Sequence, residues 1–248
     1  MLQEIILPSK LEAILKNDSR LHGSVLISYA EFRPWLESSG TPFFPEYTDH
    51  SAKHIAAVLS TASSLVRDEA WSVFTPSDAA LLCLSTLLHD SAMHLTEDRF
   101  LSLVHGVCRP PVLPSDEPWP DLWAEFLAEA ARFDGRKLVQ LFGSSEPIHR
   151  PASDPAKWEL KDRLLIGEFI RRHHARLAHE ISLNGVPGPT ATPIRLKDVP
   201  ADLAGLAGLI ARSHGVRIRD CLEHLSATDP REYKGVHAVY LIGAFASG

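Results

Sequence analysis

Apolar residues recur along this chain mainly at three- and four-residue spacing, and no run alternates Val, Ile, Thr or aromatic residues with polar ones. The pattern therefore predicts helices throughout and no extended sheet, an all-α fold. Two modest helices are expected over about residues 8 to 38, after which SSGTPFFPEY reads as a Gly/Pro-punctuated connection. A third helix should open at Thr48 or Asp49, whose side-chain oxygens can accept an unpaired N–H of the first turn. It should continue through HSAKHIAAVLSTASSLV with Ile55, Val58, Leu59, Ala62 and Leu65 facing inward. Thr75 as cap and Pro76 at the first helical position introduce AALLCLSTLLHD. That segment is apolar on nearly every side, as a central buried helix must be.

Proline density marks GVCRPPVLPSDEPWP and EPIHRPASDP as loops, with the amphipathic helix DLWAEFLAEAARF between them. From about Trp158 to Ile181 the stripe Ile166, Ile170, His173/His174, Leu177 and Ile181 predicts a long helix of about six turns. Asn184-Gly185 should end it. A shorter helix over LAGLAGLIARSH places Leu206, Ile210 and His214 on one face, with Gly215 as its stop. The chain closes on HAVYLIGAFASG, an apolar run with the character of the middle of a buried helix.

With 248 residues, 45% of them hydrophobic, the chain can bury one large helical core. We expect a single domain over residues 1–248, with 1–45 as a helical approach and 46–245 as the core. A net charge of −6 and a pI near 6.1 argue against general electrostatic attraction to nucleic acid, which needs an excess of Lys and Arg. Cys83, Cys108 and Cys221 are odd in number and lack Cys-x-x-Cys spacing, so neither a disulfide framework nor a zinc knuckle is indicated, and a reducing cytoplasm fits best. No stretch approaches the roughly 18 apolar residues of a membrane span, and the N-terminus lacks a signal-peptide core. Histidine is the unusual component, at 13 residues, several of them on apolar helical stripes.

The strongest chemical feature is His89-Asp90, at the end of the otherwise apolar helix. An unpaired carboxylate there would be costly, and a divalent cation would compensate it. Imidazole and carboxylate suit Mn, Fe, Co, Ni or Zn, and a carboxylate beside a histidine can bridge two metals. His50 opens the preceding helix 39 residues upstream, while His174 and His214 lie on core-facing stripes downstream. Four helices thus aim histidine at one interior, whereas any single one of these residues could be a core histidine bonded to a carbonyl. His54, one turn from His50, and His94, His173 and His179 are secondary candidates. His22, His105, His149, His224 and His237 have no motif around them. No Gly-x-Ser-x-Gly elbow and no Gly-x-x-x-x-Gly-Lys phosphate loop occurs, which disfavours serine-hydrolase and nucleotide-loop ATPase chemistry.

FFPEYTDHSAKHIAAVL, LLCLSTLLHDSAMHL, EFIRRHHARLAHEI and LIARSHG resemble the HD-domain metal-dependent phosphohydrolases, in particular their HD-CE branch of bacterial signalling and conflict systems. The resemblance covers about residues 25 to 245. It implies an HD-type bundle of about eight to ten helices. It also implies one or two divalent cations (Mn, Fe, Ni, Co, Zn or Mg) held by His50, His89, Asp90, His174 and His214. His174 matches the histidine of an Arg-x-x-His motif begun by Arg171. A fused or neighbouring ATPase module is a further implied partner. The family's final Asp, which follows a stretch like Tyr240–Phe245, has no counterpart before Gly248, so either the chain is truncated or this member lacks that ligand.

The expected chemistry is metal-assisted hydrolysis of a phosphate ester, on a nucleotide or similar phosphorylated small molecule. Asp90 would orient a water and take its proton; Lys53, Arg171, Arg172, Arg176 and His173 are candidates to hold the substrate or its non-bridging oxygens. The alternative is a regulatory module that binds metal and a nucleotide signal without turnover. A helical scaffold without metal is the third reading.

Overall fold

The computed structural model describes residues 7–45, 52–105, 112–188 and 193–215. Among these the secondary structure is helical, with no strand. The helices are α1 (Ser9–Leu15), α2 (Ser19–Ser38), α3 (Ala52–Leu65), α4 (Asp68–Trp71), α5 (Pro76–Leu88), α6 (Glu97–His105), α7 (Trp119–Ala130), α8 (Gly135–Phe142), α9 (Leu160–Asn184) and α10 (Ala201–Ser213). Short 3₁₀ turns lie at Ser91–His94 and Pro155–Lys157.

α5 is the hub. Its start is fixed by a reciprocal cap: the Asp78 N–H donates to Thr75 Oγ1 at 3.2 Å, and the Thr75 N–H to the Asp78 carboxylate at 2.9 Å. Every residue from Asp78 to Leu88 is buried, and α1, α2, α3, α9 and α10 all pack against it. Each fully buried leucine of this helix contributes roughly 1.5–3 kcal/mol relative to an exposed one, so the end of α5 is anchored on all sides. α3 buries Ile55, Leu59 and Ala62 as expected, but Leu65 is 52% exposed. Val66, just past the helix end, takes the inward place instead. The spacing 55, 59, 62, 66 is the better helical stripe. The expected caps Thr48 and Asp49 lie outside the described residues.

The long α9 begins where the Asp162 carboxylate accepts the Glu159 N–H at 3.0 Å and stops at Gly185, whose φ of 76° suits glycine. α10 runs antiparallel to it at very short range. A Cβ on Gly208 would stand 2.2 Å from Ser182 Oγ, and one on Gly215 would stand 2.4 Å from the Ala175 Cβ, so later residues of α9 meet earlier residues of α10. Away from this seam, Phe100 of α6 meets Phe43, Trp123, Trp158 and Phe169 edge to face, which ties α6, α7 and α9 into one aromatic cluster. Helices α4, α6 and α8 go unpredicted by the hydrophobic pattern; each is nine residues or shorter. No described helix is long and apolar enough to cross a membrane.

Candidate metal centre

α5 ends at Leu88, and His89 follows as its C-cap with helical backbone angles. The last carbonyls of a helix lack intrahelical partners. His89 uses one of them: its Nδ1–H donates to the Thr86 carbonyl at 2.7 Å. A carbonyl can only accept, so the proton sits on Nδ1 and the Nε2 lone pair points away from the helix. Asp90 then leaves the helical region, at φ −107° and ψ 7°, and turns its carboxylate toward that Nε2 at 3.0 Å.

His174 and His214 repeat the device. His174 Nδ1–H donates to the Arg171 carbonyl at 2.7 Å, and His214, the C-cap of α10, donates its Nδ1–H to the Ala211 carbonyl. Their Nε2 atoms stand 2.7 Å apart. With both Nδ1 atoms protonated, the two Nε2 atoms bring lone pair against lone pair unless a proton lies between them or a cation beside them takes both lone pairs. Protonation is opposed here: burial lowers the pKa of His174 and brings that of His214 down to about 4. A Lewis acid suits the pair better, and a histidine ligand that donates its other ring N–H to a carbonyl is the usual arrangement around a bound metal.

Asp90 joins the two ends of the site. Its Oδ2 faces His89 Nε2 at 3.0 Å and His54 Nε2 at 3.8 Å, whereas its Oδ1 faces His174 Nε2 and His214 Nε2 at 3.7 Å each. Among the described residues two groups result, His54/His89/Asp90 and Asp90/His174/His214, with the donor atoms within each lying no more than 4.8 Å apart. Nitrogen and carboxylate donors in such triads fit a divalent transition metal, and the carboxylate can be shared between two. Burial opposes protonation of His89, but the Asp90 carboxylate and the Thr86 carbonyl outweigh it and raise the His89 pKa.

The family model HD-CE matches residues 44–242. The chain belongs to the HD-CE family. No curated protein and no solved structure matches it. The matched range starts beyond α1 and α2 and takes in every residue of the two histidine groups.

In this HD-CE chain His89, Asp90, His174 and His214 stand close together, while His50, named with them from the sequence, lies outside the described residues. His54, a secondary candidate on the sequence, stands in the group on equal terms with His89. The signal was its place four residues after His50 in the sequence, the spacing at which two side chains share a face of a helix. The other candidates are distributed differently. Arg171 forms a two-pronged bond with Glu168 at 2.8 and 2.9 Å, with its side chain 48% exposed, and Lys53 is exposed on α3 beside His54. Arg172 is held away from the group: it pairs with Glu168 and Glu129 and lies over the Phe126 ring. His173, one residue before His174, turns about 100° around the helix and packs against Phe169 and Trp119. Burial there lowers its pKa to about 4, and aromatic packing rather than substrate contact accounts for its place. His94 lies near Trp35 with its Nδ1 on Ser39 Oγ at 2.7 Å, and His179 is buried against the α10 seam.

Proposed function

We propose that this chain is a divalent-metal-dependent phosphohydrolase that cleaves a phosphomonoester or phosphodiester of a nucleotide-like substrate. The observation that carries the reading is the Asp90 carboxylate, with one oxygen turned to each pair of imidazole nitrogens. His54 and His89 with Asp90 would hold one cation, and His174 and His214 with Asp90 a second; His50 is a further ligand by its place in the sequence motif. Bound divalent cations supply charge neutralisation for the phosphoryl oxygens and lower the pKa of a water.

The chain's own residues provide the rest. Asp90 orients the attacking water and takes its proton. Arg171, half exposed beside His174, offers a planar fork to a non-bridging oxygen, which it can reach by exchanging its bond to Glu168. Lys53 supplies a point charge from the α3 side. Arg172 and His173 are assigned no contact with substrate.

The test is elemental analysis of protein purified without chelator, wild type beside Asp90→Ala, followed by hydrolysis of p-nitrophenyl phosphate and bis-p-nitrophenyl phosphate with Mn²⁺, Ni²⁺ and Mg²⁺. Metal and turnover present in wild type and lost in the variant support the enzyme. Metal without turnover on any phosphoester favours the regulatory module, and a wild type without metal removes both readings.

A further inference from the structure

On the flank of the α9–α10 seam away from the histidines, a second set of side chains ties the same two helices together. His174 and Arg176 are two residues apart on α9, as are Arg212 and His214 on α10, so each pair projects to nearly opposite sides of its helix. Between them, in the seam itself, Ala175 meets Gly215. On one flank His174 faces His214. On the other, the Asp116 carboxylate accepts two hydrogen bonds from Arg212, at 2.7 and 3.0 Å, and stands 3.7 Å from Arg176 Nε.

Asp116 is well placed for a fixed bridge. Its side chain is 3% exposed, and its carboxylate also accepts the Leu113 N–H at 3.0 Å, which ties it to its own loop. Arg176 is secured in turn by the Glu117 carbonyl, the Glu180 carboxylate and the Trp119 ring under its guanidinium. Planar, buried, two-pronged pairs of this kind fix geometry more strictly than exposed ones.

We infer that Asp116 is a positioning residue for the metal centre: by joining Arg176 to Arg212 behind the seam, it sets the separation of α9 and α10 and hence of His174 from His214. The inference rests on the proposed metal-binding reading. It predicts an effect confined to one half of the site, because His54 and His89 are carried by α3 and α5 and do not depend on this bridge.

The experiment is a Co²⁺ titration of the full chain, followed by visible absorption, with Asp116→Ala placed in two backgrounds. His54→Ala leaves only the Asp90/His174/His214 group whole, and His214→Ala leaves only the His54/His89/Asp90 group whole. The expected result is Co²⁺ affinity weakened about 10-fold or more in the first background, the usual scale for loss of a residue that orients ligands, and unchanged in the second. Asp116→Asn, which keeps the shape and removes the charge, serves if the alanine variant does not fold, and should weaken the same half in the same direction. Glu129→Gln, which breaks an ion pair between α7 and α9, should weaken neither half. Equal weakening of both halves would mark Asp116 as a general stabilising residue and overturn the inference, as would no weakening at all. A wild-type chain that takes up no Co²⁺ would instead overturn the metal reading, and this inference with it.

Discussion

Replacing Asp90 by Asn tests the shared carboxylate more sharply than truncation, because shape is kept and only the charge is removed. In the metal-free chain the change should be modest, because Asp90 is partly exposed and solvent screens the loss of its charge. In the metal-loaded chain it should be large, since one anionic group faces all four Nε2 atoms. Ligand binding to the native state alone stabilises it by RT ln(1 + [L]/Kd), about 2.7 kcal/mol at a hundredfold excess over Kd. For a domain of this size 1 kcal/mol moves Tm by roughly 2–4 °C, so Mn²⁺ or Ni²⁺ at that excess should raise the wild-type Tm by about 5–11 °C for each cation bound. Asp90→Asn should abolish that rise while leaving the Tm in chelator within a few degrees of wild type. The assay is differential scanning fluorimetry with and without metal. An undiminished metal-dependent rise in the variant would refute the placing of Asp90 between the two histidine pairs.

The remaining predictions address each half of the site and the packing behind it. His54→Ala and His214→Ala should each lower bound metal from two per chain to about one rather than to zero, measured by elemental analysis; loss of both metals in either variant would contradict the division into two groups. Gly208→Ala should destabilise by about 1–3 kcal/mol through overpacking, because its Cβ would meet Ser182 Oγ and the His179 ring; urea unfolding with an unshifted midpoint would show that the seam is looser than described. Glu168, whose carboxylate is paired with Arg171 and Arg172, has a pKa held below its ordinary value of 4.5 against the opposing effect of burial. The unfolded chain therefore binds the proton more readily, so this contribution is present above pH 4.5 and is lost as pH falls through the folded value. Stability measured against pH should fall less steeply on the acid side in Glu168→Gln than in wild type, and an identical slope would count against the pairing.

Much of this architecture was legible because α5, α9 and α10 carry long, uninterrupted helical patterns with strong punctuation at Thr75-Pro76 and at Asn184-Gly185. The same reasoning failed on short elements. α6, EDRFLSLVH, buries Phe100, Leu103 and Val104 at helical spacing, but nine residues give that stripe only one repeat, and the aromatic cluster around Phe100 that supports it comes from distant parts of the chain. Leu65 was misplaced for a related reason: residues 62, 65 and 66 are all compatible with an inward stripe until the position of the helix end is known. At the site, residue type and spacing selected the histidines, but not which of two neighbours turns inward. His173 and His174 both lie at the polar edge of the same stripe, and the Trp119 and Phe169 rings on one side and His214 on the other separate their roles.

Two of the clustered histidines stand where helices end, which gives the site a physical logic that a motif does not express. A helix C-terminus leaves carbonyls without partners, and a histidine at the C-cap can satisfy one of them through Nδ1–H, as His89 does with Thr86 and His214 with Ala211. The same bond fixes the tautomer and presents Nε2 outward, so the step that completes the helix end also prepares a ligand atom. His174 achieves this from within α9 by using the Arg171 carbonyl, and it must then be brought to His214 by the packing of the two helices rather than by its own backbone. Glycine at 208 and 215 permits the close approach, and the ion pairs of Asp116 hold its far side. The part of the site built on α5 is therefore set locally by one helix end, whereas the part built on α9 and α10 is set by a tertiary contact. Mutations in the seam should disturb the second part first.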